Sequence, residues 1–187
     1  MLRLSSCVGL RLTMRPTQDE RRKKTEMAQL IETALARLDI LKKYKNIAVV
    51  GLSGNAYRPS HFAAIYLISE GYNVIPVNPR ETEILGRKCY PSLTAASAEL
   101  GEGVIEVVDV FRASKDVPPI ATEAVNIGAK VLWLQLGVVN EAAALEAING
   151  GLDVVMDRCM KIEHARFYGG LNLIGLNTGV VSARRDL

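Results

Sequence analysis

The residues best placed to do chemistry follow a short apolar run. Ile47-Ala48-Val49-Val50 leads into Gly51-Leu52-Ser53-Gly54-Asn55-Ala56-Tyr57-Arg58-Pro59-Ser60. Glycine allows tight turns and lets the backbone come close to a ligand. A helix opening at Pro59 would offer free N–H groups and a dipole that suit an anion. Ser53 and Ser60 add hydroxyls, and Arg58 adds a charged fork. The pattern suits a phosphate, although it is neither G-x-G-x-x-G nor a Gly-Lys-Ser/Thr P-loop. A second informative stretch is Val77-Asn78-Pro79-Arg80. Sites that read the ribose diol of NAD place an Asp or Glu at the end of the second strand. Here the cation Arg80 stands in that region, and the nearest acid is Glu81. The expected ligand carries a phosphate on its ribose: NADP through its 2′-phosphate, or coenzyme A through its 3′-phosphate. A solvated Arg80 with no ligand is the plain alternative.

Cys159 stands between Arg158 and Lys161 in near sequence. Neighbouring cations favour a thiolate, and a thiolate beside a ligand thiol could form a mixed disulfide, which makes Cys159 a candidate thiol-adduct site. The alternative is a small buried hydrophobe. His61 and His164 have no Asp/Ser or Cys partner beside them in sequence and read as structural or surface residues. Asp109 interrupts an apolar run, where a hydrogen-bonded structural role is expected rather than general-base work. Trp133 reads as core. No catalytic residue and no metal-ligand set is assigned, and a non-catalytic role is expected.

The composition fits a globular domain. Hydrophobic residues make up 49% of 187 and charged residues 23%. No apolar run is long enough for a membrane span. The net charge of +3 is scattered and aromatics are only 5%, which argues against nucleic acid. Three distant cysteines, Cys7, Cys89 and Cys159, fit neither a disulfide framework nor a zinc site and point to a reducing compartment.

Strands are expected over 47–52, 73–77, 104–111, 131–136 and 153–156. Their unbroken apolar runs belong to a parallel sheet covered on both faces. Helices are expected over 59–70, from Asp116 with Pro118-Pro119 to Gly128, and over 141–148 behind an Asn140 cap. Upstream, Thr17 and Glu20 form a capping box for a long helix whose apolar residues run from Met27 to Leu41. The chain therefore reads as α/β: a Rossmann-like, doubly wound parallel sheet of about five strands with an extra N-terminal helix. Residues 1–16 form a presequence or tail, 17–44 the helix, 45–168 the nucleotide-binding domain and 169–187 a C-terminal tail. Ligands of such sheets bind outside the carboxyl ends of the strands.

Several segments, taken in order, resemble a known family. They are Val49-Val50-Gly51-Leu52-Ser53, Arg58-Pro59-Ser60, Val74-Ile75-Pro76-Val77-Asn78-Pro79, Val108-Asp109-Val110-Phe111-Arg112, Trp133-Leu134-Gln135-Leu136-Gly137 and Met156-Asp157-Arg158-Cys159-Met160-Lys161-Ile162-Glu163-His164. Together they look like the stand-alone CoA-binding domain proteins, which are similar to the CoA-binding domain of the succinyl-CoA synthetase alpha subunit. The resemblance implies that coenzyme A or a short acyl-CoA binds at the sheet edge. It implies Gly51, Ser53, Arg58 and Ser60 at the CoA phosphates. Val77, Asn78, Pro79 and Arg80 would frame the adenosine and its 3′-phosphate. Val110, Phe111 and Arg112 would pack on the adenine or the start of the pantetheine arm, and Gln135, Leu136, Gly137 and Asn140 would line the path of that arm. The phosphohistidine domain of the synthetases is not matched. This leaves a carrier, sensor or accessory module beside acyl-CoA metabolism. The rivals are an NADP-binding oxidoreductase or redox sensor, and an accessory subunit of an acyl-CoA ligase. Small-molecule binding is expected, with no nucleic acid and no membrane; a protein partner or homo-oligomer is left open. The first sixteen residues carry Arg3, Arg11 and Arg15 and no acid. That start reads as a mitochondrial presequence; the alternatives are a disordered tail or sequence upstream of a start at Met14, on a cytoplasmic protein.

Overall fold

The computed structural model describes residues 28–168. The Thr17–Glu20 capping box, the presequence-like start, Cys7 and the tail after Tyr168 lie outside them.

Five parallel strands form the sheet: β1 (Asn46–Val50), β2 (Asn73–Val77), β5 (Val107–Val110), β6 (Val131–Leu134) and β7 (Asp153–Val155). Their order is β2-β1-β5-β6-β7. A two-stranded antiparallel ribbon, β3 (Glu83–Ile84) and β4 (Arg87–Lys88), follows β2. The sequence reading is met: an α/β, Rossmann-like sheet covered on both faces. Among the described residues there are six α-helices. α1 (Ala34–Lys43), α2 (Pro59–Ser69) and α6 (Met160–Tyr168) supply Ile40, Leu41, Ala64, Leu67 and Met160 to one apolar layer. α3 (Leu93–Leu100), α4 (Val117–Asn126) and α5 (Glu141–Asn149) supply Leu93, Ala121, Ala124 and Ala147 to the other. Small alanines on α4 and α5 let those helices lie close to the sheet. No described helix is long and apolar enough to cross a membrane.

The N-terminal helix differs from expectation. It begins at Ala34, where the Thr33 hydroxyl accepts the Ala36 N–H. Before it, the chain is extended and adds to the free edge of β7: Ile31 N–H donates to Val154 O at 2.7 Å, and Val154 N–H to Gln29 O at 2.9 Å. Backbone pairing at an open sheet edge overrides the helical spacing of Leu30 and Ile31. Leu35, expected on the packed face, is 70% exposed, while Arg37 is buried. Arg37 Nε donates to Glu163 Oε2 at 2.8 Å, and Nη1 donates to Glu32 O at 2.7 Å. Glu163 also faces Arg166 at 3.6 Å. This network ties α1 to α6 and turns the helix so that a guanidinium faces inward. Two further helices, α3 and α6, and the ribbon strands β3 and β4 fall where no element is expected from the sequence. Asp116 stands at the N-cap of α4 without a capping bond; its carboxylate instead lies 3.7 Å from Arg112.

Removing one partner of a buried pair strands the other charge. Arg37→Met is expected to lower unfolding free energy by about 3 kcal/mol in urea titration, and Arg37→Met with Glu163→Leu to recover most of that loss.

Candidate functional site

Strand order reverses at β1, because its two neighbours, β2 and β5, are reached by crossovers in opposite directions. The cleft that such a reversal leaves at the carboxyl ends is the expected binding place in this architecture. Gly51 sits at its centre. Its N–H donates to Val77 O at 2.9 Å, and Phe111 N–H donates to Val50 O at 2.9 Å, so the ends of β2, β1 and β5 are held together there. Gly51 has φ +84, and a Cβ on it would meet Phe111 O at 2.6 Å and Arg112 Cδ at 2.8 Å. No other residue type fits that backbone and that space.

Two cavities meet at Gly51 and Arg112. The larger, about 790 Å³, is lined by the expected Gly51, Ser53, Arg58, Ser60, Arg80, Phe111, Arg112, Gln135 and Leu136, together with Cys159. Pro59, Phe62, Ala63, Val138, Lys161 and Ile162 complete its wall. The smaller, about 420 Å³, has Val77 and Pro79 with Val50, Pro91, Ser92, Leu93, Lys115 and Glu123 among its lining. Arg58, Arg80, Arg112 and Lys161 give the larger cavity four cations, and no acid lines it. Neither Lys161 nor Phe62 is expected from the sequence to line the site. Both lie in the first turn of a helix, and only the packing of α2 beside α6 brings them to one wall.

Four expected residues line neither cavity and hold the scaffold instead. Asn78 Nδ2 donates to Leu52 O at 2.8 Å, and its Oδ1 accepts Arg80 N–H at 3.0 Å, which shapes the turn that presents Arg80. Val110 is wholly buried in the apolar layer of α3, α4 and α5. Gly137, at φ +80, donates its N–H to Asp157 Oδ1 at 2.7 Å. Asn140 caps α5 by accepting Ala143 N–H at 2.9 Å, and its Nδ2 donates to Ser114 O.

The glycine-rich loop is braced from below. Ser53 N–H donates to Ser60 Oγ at 3.2 Å, and His61 Nδ1 lies 2.9 Å from Ser53 O. A carbonyl only accepts, so Nδ1 carries the proton there. His61 thereby has the structural role expected of it. On the outer side of the loop, the Glu81 carboxylate accepts Gly54 N–H at 3.2 Å. His164 packs among Tyr66, Tyr72 and Tyr168, and burial holds its imidazole below the usual range, hence neutral. Trp133 is core, with Nε1 donating to Arg158 O at 2.6 Å. Asp157 and Arg158 form only an exposed contact at 3.8 Å.

The surroundings of Cys159 favour the buried-hydrophobe alternative over an activated thiolate. Burial pushes its thiol up, and the Asp109 carboxyl adds to the rise; hydrogen bonds from the Ile162 and Lys161 backbone N–H groups and the Lys161 charge do not offset this. Arg158 is occupied elsewhere, donating to Asp157 O at 2.7 Å. The thiol is therefore held protonated near neutral pH, and a protonated thiol is a poor nucleophile.

Asp109 is fully buried on β5. Its Oδ1 accepts Gln135 Nε2 at 2.7 Å, while Oδ2 has no partner. Burial pushes its pKa up to about 7, against the opposing effect of the Gln135 bond.

The model of a family described as a CoA binding domain matches residues 45–165. The chain belongs to the CoA-binding domain family. It is 42% identical to the uncharacterized protein YneT of Bacillus subtilis over 127 residues, spanning 68% of this chain and 90% of that protein. The structure of a hypothetical protein from Pyrococcus horikoshii is 40% identical, with TM-score 0.69, over 74% of this chain and 94% of that one. A Thermus thermophilus structure is 31% identical, with TM-score 0.65, over 72% and 98%. These relatives also correct the mitochondrial expectation. They come from bacteria and an archaeon, which have no such compartment. The arginines that suggested a presequence lie outside the matched residues.

Between about pH 4 and 7, folded Asp109 retains a proton that the unfolded chain has lost, so stability falls as pH rises through that window. The cost above pH 7 is at most about 4 kcal/mol. Thermal melting at pH 5 and pH 8 is expected to show a smaller pH-dependent fall for Asp109→Asn than for the wild type.

Proposed function

We propose that this chain binds coenzyme A or a short acyl-CoA across the two joined cavities, as a non-catalytic carrier, sensor or accessory module beside acyl-CoA metabolism. The observation that carries the reading is the larger cavity's wall, which combines four cations and no acid with an apolar lining of Pro59, Phe62, Ala63, Phe111, Leu136, Val138 and Ile162. CoA has that pairing of properties: several phosphates at one end and a long, mostly apolar arm at the other. Family membership supports the same ligand.

In this reading the adenosine lies toward Val77 and Pro79 in the smaller cavity. The diphosphate passes over Gly51 toward the opening turn of α2, where Arg58 and the positive end of the helix dipole attract it. Arg80 takes the 3′-phosphate, and Arg112, common to both cavities, sits at the junction. The arm runs along Phe111, Gln135 and Leu136 toward Cys159. The protonated thiol at that end makes a mixed disulfide slow near neutral pH.

Calorimetric titration with CoA, dephospho-CoA and NADP tests the reading. CoA is expected to bind more tightly than dephospho-CoA, and both more tightly than NADP; preferential NADP binding overturns it. Arg80→Glu is expected to weaken CoA at least about tenfold more than dephospho-CoA. Equal losses remove Arg80 from the 3′-phosphate. Glu81→Gln keeps an acceptor for Gly54 N–H while removing a charge beside the loop, and is expected to tighten CoA about threefold.

A further inference from the structure

We propose that Asp109 is a positioning residue for this site: it turns the Gln135 amide so that Oε1 faces the ligand and accepts an amide N–H from the ligand's arm. The inference rests on the CoA reading above and assigns a role that the cavity lining alone does not. Asp109 lies in the middle of the sheet, in register with Val49 of β1 and Trp133 of β6. Both neighbours are apolar and wholly buried, as is Asp109. A carboxyl is costly there, and an apolar side chain would serve the sheet better.

Asp109 is also incompletely used by the fold. Oδ1 accepts Gln135 Nε2 at 2.7 Å, but Oδ2 is the one buried side-chain nitrogen or oxygen without a partner among the described residues. Its single bond goes to a residue of the cavity wall. A carboxylate can only accept, while a side-chain amide has one donating end and one accepting end. Committing the NH2 group to Asp109 leaves Oε1 as the end that Gln135 offers. Among the described residues Oε1 accepts no protein hydrogen bond, and Gln135 lines the cavity although it is only 4% exposed.

The surrounding wall narrows what Oε1 selects. Phe111, Leu136, Val138 and Ile162 supply no polar side chain. A carbonyl oxygen in such surroundings penalises a ligand that buries it without a donor. The pantetheine arm carries secondary amides whose N–H groups meet that need. Asp109 thus acts one residue away from the ligand, by fixing which end of an amide the ligand meets.

The test compares CoA with adenosine 3′,5′-bisphosphate, which has phosphates but no arm, by calorimetric titration at pH 8. Asp109→Leu and Gln135→Leu are each expected to weaken CoA about five- to tenfold and leave the bisphosphate within about twofold of wild type. The double variant is expected to lose no more CoA affinity than either single one. Asp109→Asn retains an oxygen for Gln135 Nε2 and is expected to bind CoA within about threefold of wild type. Equal losses for the two ligands, additive losses in the double variant, or an Asp109→Asn loss as large as that of Asp109→Leu overturn the inference. If Asp109→Leu does not fold, Gln135→Glu replaces it. That variant places two carboxyls together and is expected to lose CoA affinity, and adding Asp109→Asn, which brings an amide donor, is expected to restore it; no restoration overturns the inference. Wild-type protein that binds neither ligand overturns the CoA reading and the inference with it, whereas CoA binding with equal losses overturns the inference alone.

Discussion

The site depends on a backbone pinch at Gly51. There the ends of three strands converge within hydrogen-bonding distance, and the space a side chain would need is already taken by the Phe111 carbonyl and the Arg112 stem. One methyl group at that point would push β1 away from β5 or displace Arg112. Because the pinch lies where the crossovers diverge, it leaves room on both sides, and each side opens into a cavity. The glycine is thus the shared floor over which a single extended ligand can pass.

Charge and apolarity are both arranged around that floor. The cations come from four separate elements: Arg58 ahead of α2, Arg80 after β2, Arg112 after β5 and Lys161 on α6. Most acids nearby are already engaged. Asp116 faces Arg112, Glu123 accepts Leu93 N–H at 3.0 Å, and Asp157 accepts Gly137 N–H. Helix α6 carries Lys161 and Ile162 into the wall and is itself fixed by the buried Arg37–Glu163 pair. An ion pair outside the cavity lining therefore helps to set one side of the cavity.

The sheet was legible in the sequence because continuous apolar runs ending in Gly or Asn-Pro leave few options in a chain of this length. The glycine-rich loop, Arg80 and the Phe111-Arg112 pair could be placed at one edge by topology alone. What sequence could not supply was side-chain direction. Arg37 is buried where Leu35 was expected to be, because only the fold brings Glu163 to meet it. Asn78, Gly137 and Asn140 sit in the right loops, yet their polar groups are consumed by Leu52, Asp157 and Ser114. Cys159 has the expected cations near it in sequence, but burial governs its thiol. Helix α3 was missed because its alanine-rich turn follows Pro91 without a clear apolar period; the Ser92 cap, accepting Ala95 N–H at 3.1 Å, was its one local signal.

A crystal structure of the protein grown with coenzyme A tests the central claim most directly. The account predicts density for the diphosphate directly above Gly51, the adenosine toward Pro79 and the arm reaching Gln135. An empty cleft, or the ligand seated on another face of the sheet, would contradict it.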